Sequence, residues 1–452
     1  MKRILLSMMI PLMILTATKA GQTDAAPTIL PYPILQKKLA NGVNVVTVPY
    51  DSPGLAAFYI VMRVGSRDEV EEGKSGFAHF FEHMMFRGTD KYPTDKYNEV
   101  LKSIGASANA NTSLDRTVYH MTGNALMLDK MFEVEADRFM NLHYSESAFK
   151  TEAGAVKGEY TKNSSNPMQQ LDEKVSDVAF TQHTYKHTTM GFFKDVVDMP
   201  NQYQYSQDFY KRFYRPELAT IIVVGDATAE KVNALAEKYF GVWKAGFTPK
   251  QITTEPEQNE TRYAHIQMPK YPAVLALNYK GPAYSDLNND YEALDILTNL
   301  LFSEKSALYK KLVTDERKLR SLDPGVFFTR DPYLIGITAT FVDEKELIPV
   351  YDEIKMAIEK IKTTPVNPKD LADTKSRLKY SYAMRIDNPT AIAESLSYFT
   401  WVSGNPESLN KAYRQYDSVT AADIARVAKK YFTENHLTIG TITAGETSPF
   451  RR

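Results

Sequence analysis

Hydrophobic and polar positions change period several times along this chain. Between residues 33 and 65, runs such as "GVNVVTVPY" and "LAAFYIVMRVG" are β-branched and aromatic and are bounded by Gly, Pro, Asp and Ser, which predicts strands. Helical spacing takes over from about Gly76 to Phe86 and returns near Asp95–Ile104. "SANANTSLDRTVYHMTG" (107–123) reads as a strand or hairpin, and "NALMLDKMFEVEADRFMN" (124–141) as an amphipathic helix. Further helices run to about residue 175, followed by a loop rich in His, Thr and Gly as far as 194.

The pattern then repeats. "YKRFYRPELATIIVVGDATAE" (210–230) is echoed by "AKKYFTENHLTIGTITAGETS" (428–448): a basic helix end and an aromatic pair lead through a short turn into a strand that closes on Gly. The strand "AVLALNYK" (273–280) with the helix "YEALDILTNLLF" (291–302) parallels 56–64 with 76–86. Two matches in the same order imply two copies of one α+β unit, roughly 33–245 and 260–447. Each copy is expected to be an α/β sandwich, a mixed or antiparallel sheet packed by helices. "FTPKQITTEPEQNETR" (247–262), polar and Pro-bearing, suits the boundary between them.

Composition narrows the chemistry. At 452 residues the chain can hold two sizeable cores, and its formal net charge of −1 offers no footprint for nucleic acid or an anionic membrane. It has no cysteine, so disulfides, thiolate metal sites and cysteine nucleophiles are excluded, and a metal must sit on His, Asp or Glu. The first twenty residues, "MKRILLSMMIPLMILTATKA", have Lys2 and Arg3, an apolar run interrupted by Pro11, and small residues up to Ala20. That layout predicts a cleaved secretory signal peptide over 1–20 and an exported, periplasmic protein; a membrane anchor is the alternative.

"GFAHFFEHMMFRG" (76–88) places His79, Glu82 and His83 in an apolar helical stretch, in a chain with eight histidines. On a helix, positions i and i+4 share a face and i+3 lies beside them. Two imidazoles can therefore serve one metal ion, with Glu82 in reach of a water there: the H-x-x-E-H pattern. The bland alternative is two satisfied histidines near a helix end. A catalytic zinc keeps three protein ligands. Glu152 and Glu159, seven apart in "FKTEAGAVKGEYTKN" (149–163), share one helical face, as many solvated glutamate pairs do. The second copy has no histidine at the corresponding place, so this chemistry belongs to the N-terminal half.

These residues, together with "RVGSRDE", "MMFRGT" and "SANANTSLDRTVYH" in that order, resemble the pitrilysin family of zinc peptidases (M16), which includes insulin-degrading enzyme and the mitochondrial processing peptidase. The resemblance spans essentially the whole mature chain and implies half of a clamshell. It also implies Zn2+ held by His79, His83 and Glu159, Glu82 as general base, and Glu152 supporting a ligand or the catalytic charge. Substrate is expected as an added strand beside Asn109 and Ala110. An apolar collar of Phe77, Phe80, Phe81, Met84 and Met85 is expected to keep the site dry. "HTYKH" (183–187) reads as loop structure, and His120 and His143 as packing or surface residues.

One feature departs from the family. Complete sites borrow an Arg and a Tyr, seven apart, from a strand of the empty domain; in "LIGITATFVD" (334–343) those positions are Gly336 and Asp343. Arg330 and Tyr333 lie nearby at the wrong spacing. The expectation is a zinc metalloendopeptidase for short or unfolded peptides, acting as the catalytic subunit of a heterodimer whose homologous partner supplies the Arg/Tyr pair, with a homodimer as the variant. The competing reading is a non-catalytic scaffold subunit of the same family.

Overall fold

The computed structural model describes residues 28–451, so the signal-peptide expectation for 1–20 lies outside the described residues. Among the described residues, eleven strands form two sheets. The first contains β1 (Leu35–Lys38), β2 (Asn44–Pro49), β3 (Leu55–Met62), β4 (Ser107–Thr112), β5 (Thr117–Asn124) and β6 (Ala219–Gly225), in the order β1-β2-β6-β3-β5-β4. The second contains β7 (Arg262–Gln267), β8 (Val274–Lys280), β9 (Leu319–Val326), β10 (Leu334–Phe341) and β11 (Leu437–Thr443), in the order β7-β11-β8-β10-β9. Remove β1 and the two orders coincide. Each sheet has one parallel pair, β2 with β6 and β7 with β11, and is otherwise antiparallel. The fold is thus α+β, two copies of one mixed-sheet sandwich.

The central strands read as continuous apolar runs because both faces of each sheet are covered. Alternate residues of β3 enter different cores. Phe58, Ile60 and Met62 face the helices of their own domain. Ala57, Tyr59 and Val61 face Ile392, Leu396 and Phe399 on the helix Pro389–Ser403, which belongs to the second copy. The converse holds on β8. Leu275, Leu277 and Tyr279 meet their own helices, whereas Val274 and Ala276 pack with Leu171, Val175 and Ala179 on the helix Pro167–Ala179 of the first copy. That helix lies so close that a Cβ on Gly440 of β11 would stand 2.6 Å from Val175 Cγ2. Each domain therefore lends one helix to the far face of the other's sheet.

The helix Phe77–Met84 packs on the first sheet beside β4 and against the helix Glu146–Asn163. Ser145 caps the latter by accepting from Ala148 N at 3.2 Å. Its buried face, Phe149, Glu152, Ala153, Val156 and Tyr160, follows the three–four spacing of a core-facing stripe. Phe149 meets Phe80 ring to ring at 5.0 Å, which fixes how the two helices cross.

Candidate metal centre

His79 and His83 emerge on the side of their helix that looks toward the helix Glu146–Asn163. Their ligand atoms and that of Glu159 converge: one ring nitrogen from each histidine and one Glu159 oxygen lie within 4.8 Å of one another. Glu159 Oε2 is 3.6 Å from His79 Nε2 and 3.3 Å from His83 Nε2. Both separations exceed a usual N–H···O bond of about 2.9 Å. They match the edges of a tetrahedron, about 3.3 Å long when its arms are about 2.0–2.1 Å, the zinc–nitrogen and zinc–carboxylate range. The donor set, two imidazoles and one carboxylate, suits a divalent metal with a position left open.

Glu152, one helical stretch back, does not join the three. Its Oε1 accepts from His83 Nδ1 at 2.9 Å, which leaves His83 Nε2 with its lone pair toward Glu159. The other oxygen, Oε2, accepts from Arg87 through Nε and Nη2. Burial acts to raise the Glu152 carboxyl, but the hydrogen bonds from His83 and Arg87 overcome it and hold the group below its ordinary range. The Glu152 bond raises His83 in turn. His79 is different: burial, reinforced by His83, pushes it down, and its Nδ1 has no hydrogen-bond partner among the described residues. Its aim is set by the position of the helix and not by a bond to the ring.

Glu82 is held by the sheet. Thr112, the last residue of β4, donates its hydroxyl to Glu82 Oε2 at 2.6 Å. Asn109 and Ala110 lie on the same strand. Asn109 is exposed, and its Oδ1 accepts from Ala110 N at 2.9 Å. Among the described residues β4 pairs with β5 alone, so its other edge, next to Glu82 through Thr112, has no strand partner.

The apolar residues around the motif need correction. Phe77, Phe80, Phe81, Met84 and Met85 are not a collar over the metal position; all five are fully buried in the domain core. Phe81 stacks on Phe209 at 5.1 Å, and Phe77 meets Tyr205 at 4.8 Å. A helix cannot point 79, 82 and 83 one way and 77, 80, 81 and 84 the same way. These side chains anchor the helix, and the centre opens outward, with the Glu159 side chain 38% exposed.

Sequence reasoning missed three contributors. Arg87 sits in "MMFRGT" and Glu69 in "RVGSRDE", stretches singled out without a role for either residue. Thr112 sits in "SANANTSLDRTVYH", also singled out without a role for it, because its partnership depends on β4 lying beside the helix. Glu69 Oε2 accepts from Gly76 N at 2.8 Å and Oε1 from Ala78 N at 2.6 Å, a two-pronged clamp on the first turn of the helix. Gly76 needs its lack of a Cβ: its φ is +94°, and an added Cβ would stand 2.9 Å from Met190 O. Of the remaining histidines, His120 stacks on Tyr59 at 5.0 Å, and exposed His143 meets Asp90 at 2.8 Å. His183 and His187 are buried between elements.

Among the described residues, no helix is long and apolar enough to cross a membrane. The family described as Insulinase (Peptidase family M16) matches residues 45–191, and Peptidase M16 inactive domain matches 202–378. The zinc protease PqqE of Helicobacter pylori is 28% identical over 416 residues, covering 88% of this chain and 90% of that protein. A probable mitochondrial-processing peptidase subunit beta of Arabidopsis thaliana is 24% identical, over 89% and 77% of the two chains. Among solved structures, a protease from Helicobacter pylori superposes with a TM-score of 0.84 at 27% identity, covering 91% of this chain and 99% of that one. The periplasmic protease PqqL of Escherichia coli shares the fold, with a TM-score of 0.76 at 19% identity, over 93% of this chain and 49% of its own. With two matched domains, paired sheets of one topology and an H-x-x-E-H helix facing a glutamate helix, this chain belongs to the M16 metallopeptidase family.

Proposed function

We propose that the chain is an exported zinc metalloendopeptidase that hydrolyses short or unfolded peptides and serves as the catalytic subunit of a two-subunit enzyme. The observation that carries this reading is the convergence of His79, His83 and Glu159, with Glu82 next to His83 on the same helix. When bound, zinc lowers the pKa of water toward neutrality and polarises the scissile carbonyl. His79, His83 and Glu159 hold it. Glu82 takes a proton from the attacking water on a carboxylate oxygen and passes it to the leaving amine, while Thr112 fixes the carboxylate's orientation through Oε2. Glu152, backed by Arg87, sets the His83 tautomer. The open edge of β4, with Asn109 exposed on it, receives the peptide as an added strand, which grips backbone and tolerates many sequences.

The second subunit follows from what β10 carries. Gly336 lies inside the strand opposite Asn278 and Gly325, and Asp343 caps the next turn by accepting from Lys345 N at 3.1 Å. Tyr333 is stacked on Phe180 at 5.6 Å, and Arg330 N is bonded to Asp115, so both belong to the seam between the domains. This supports a homologous partner supplying the Arg/Tyr pair for the developing oxyanion. The N-terminal layout of residues 1–20 supports export to the periplasm.

The test is cleavage of a quenched fluorescent peptide by the purified chain, alone and with a co-purifying homologue, with and without chelator. Chelator-sensitive activity that rises strongly on adding the homologue is expected. Vigorous cleavage by the chain alone removes the two-subunit proposal. Cleavage indifferent to chelator removes the zinc enzyme.

A further inference from the structure

The "HTYKH" segment lies at the seam between the domains, and each of four residues in it reaches a different anchor. Tyr185 N donates to His183 Nδ1 at 3.0 Å, so the proton of that ring is on Nε2, which donates to Asp331 Oδ2 at 3.0 Å. Thr184 Oγ1 donates to Arg67 O at 2.6 Å, and Tyr185 OH to Asp115 Oδ1 at 2.6 Å. His187 Nδ1 lies 3.8 Å from Glu69 Oε2. Asp331 belongs to the connection between β9 and β10, in the second domain. The oxygen that accepts from His183 also accepts from Arg67 Nε at 2.5 Å.

Arg67 is two residues from Glu69, the clamp on the first turn of the metal helix. The same short segment pairs with the turn that follows β4: Arg67 N donates to Leu114 O at 2.7 Å, and Thr112, just before that turn, holds Glu82. Among the described residues nothing bonds His79 Nδ1 to orient the ring, so its aim depends on where this first turn sits. We propose that Asp331 is a positioning residue for the metal centre. Through Arg67 and His183 it seats the segment that carries Glu69, and Glu69 in turn fixes the helix turn bearing His79. The domain without metal ligands thereby supports the centre in cis, a role separate from any clamp supplied by a partner subunit.

This inference rests on the metal reading above, and one set of measurements separates the two. Zinc affinity of the full-length chain is measured by competition with a chromophoric chelator, together with kcat, KM and the thermal midpoint of the metal-free form. In Asp331→Ala, zinc affinity and kcat are expected to fall about tenfold with KM little changed, the size typical of residues that orient metal ligands from behind. Arg67→Gln is expected to lose most of that, and the double variant to lose no more than Asp331→Ala alone, because Asp331→Ala already breaks the Arg67 link. Arg67→Lys is expected to recover part of the loss. Should Asp331→Ala fail to fold, His183→Gln, which keeps the Arg67–Asp331 pair, is expected to weaken zinc by about threefold, a fraction of that loss. Unchanged zinc affinity in a folded variant, or losses in the double variant that simply multiply, overturns the inference. A wild-type chain that binds no zinc brings down the metal reading as well, whereas a wild type that binds zinc beside an indifferent Asp331→Ala removes only the inference drawn here.

Discussion

The two domains share one sheet plan, β1 aside, and differ in what they do with it. Helix Phe77–Met84 of the first domain and helix Asp290–Phe302 of the second follow equivalent strands in the same order. The first presents His79 and His83 to a facing glutamate helix, with Glu82 held by Thr112 of β4. The second buries Glu292 completely, with neither carboxylate oxygen bonded to another described residue, and half-buries Asp295, which accepts from Tyr416 OH at 2.6 Å. In the place of helix Glu146–Asn163 stands Pro368–Ala383, in which only Thr374 is fully buried. The sheet and its order are thus indifferent to chemistry, and a few side chains on two facing helices decide it. The second copy still contributes: its helix Pro389–Ser403 closes the far face of the first sheet, and its Asp331 accepts from Arg67, two residues before Glu69.

That contrast can be broken most severely at the first helix. Glu82→Gln should retain zinc yet lower kcat by about 10³-fold or more, the scale of a lost general base, read with a fluorogenic peptide. Retention of full activity would show that the helix does not supply the base. Glu152→Gln should reduce zinc affinity or activity by about 10–100-fold, because His83 then loses the carboxylate that sets its tautomer. Thr112→Val should lower kcat by only a few-fold, since it frees one oxygen of Glu82 while leaving the carboxylate in place.

The second helix gives a pH signature that the first does not. Burial pushes the Glu292 carboxyl up to about 8. The native state therefore keeps a proton between about pH 4.3, the unfolded value, and about 8, and stability falls as pH rises through that window. Glu292→Gln cannot ionise in either state. Its thermal midpoint should gain on the wild type steadily from pH 5 to pH 8, with the two nearly equal at the acid end. A constant difference across that range would mean that Glu292 is not the buried acid described.

Much of this arrangement was legible before the coordinates. The duplication showed because strands covered on both faces, such as those at 219–225 and 437–443, keep a strong apolar signature, and their helix ends repeat it. The metal helix showed because i, i+4 spacing is local. Glu159 required knowledge of relatives, since a glutamate on a half-exposed helix carries no sign of its partner. The reciprocal loan of helices Pro167–Ala179 and Pro389–Ser403 was illegible: periodicity says that a helix has an apolar face, not which sheet receives it. The same holds for Arg87, Thr112 and Glu69, whose partners lie on other elements, and for the phenylalanines expected to wall the metal. Their hydrophobicity was plain from sequence, but the direction in which they point follows from helix geometry.

The most direct test counts zinc retained per chain after exhaustive dialysis, wild type beside Glu159→Gln. The account predicts one zinc per wild-type chain and a large loss in the variant, with the fold intact by circular dichroism. No zinc on the wild type, or equal retention in the variant, would contradict it.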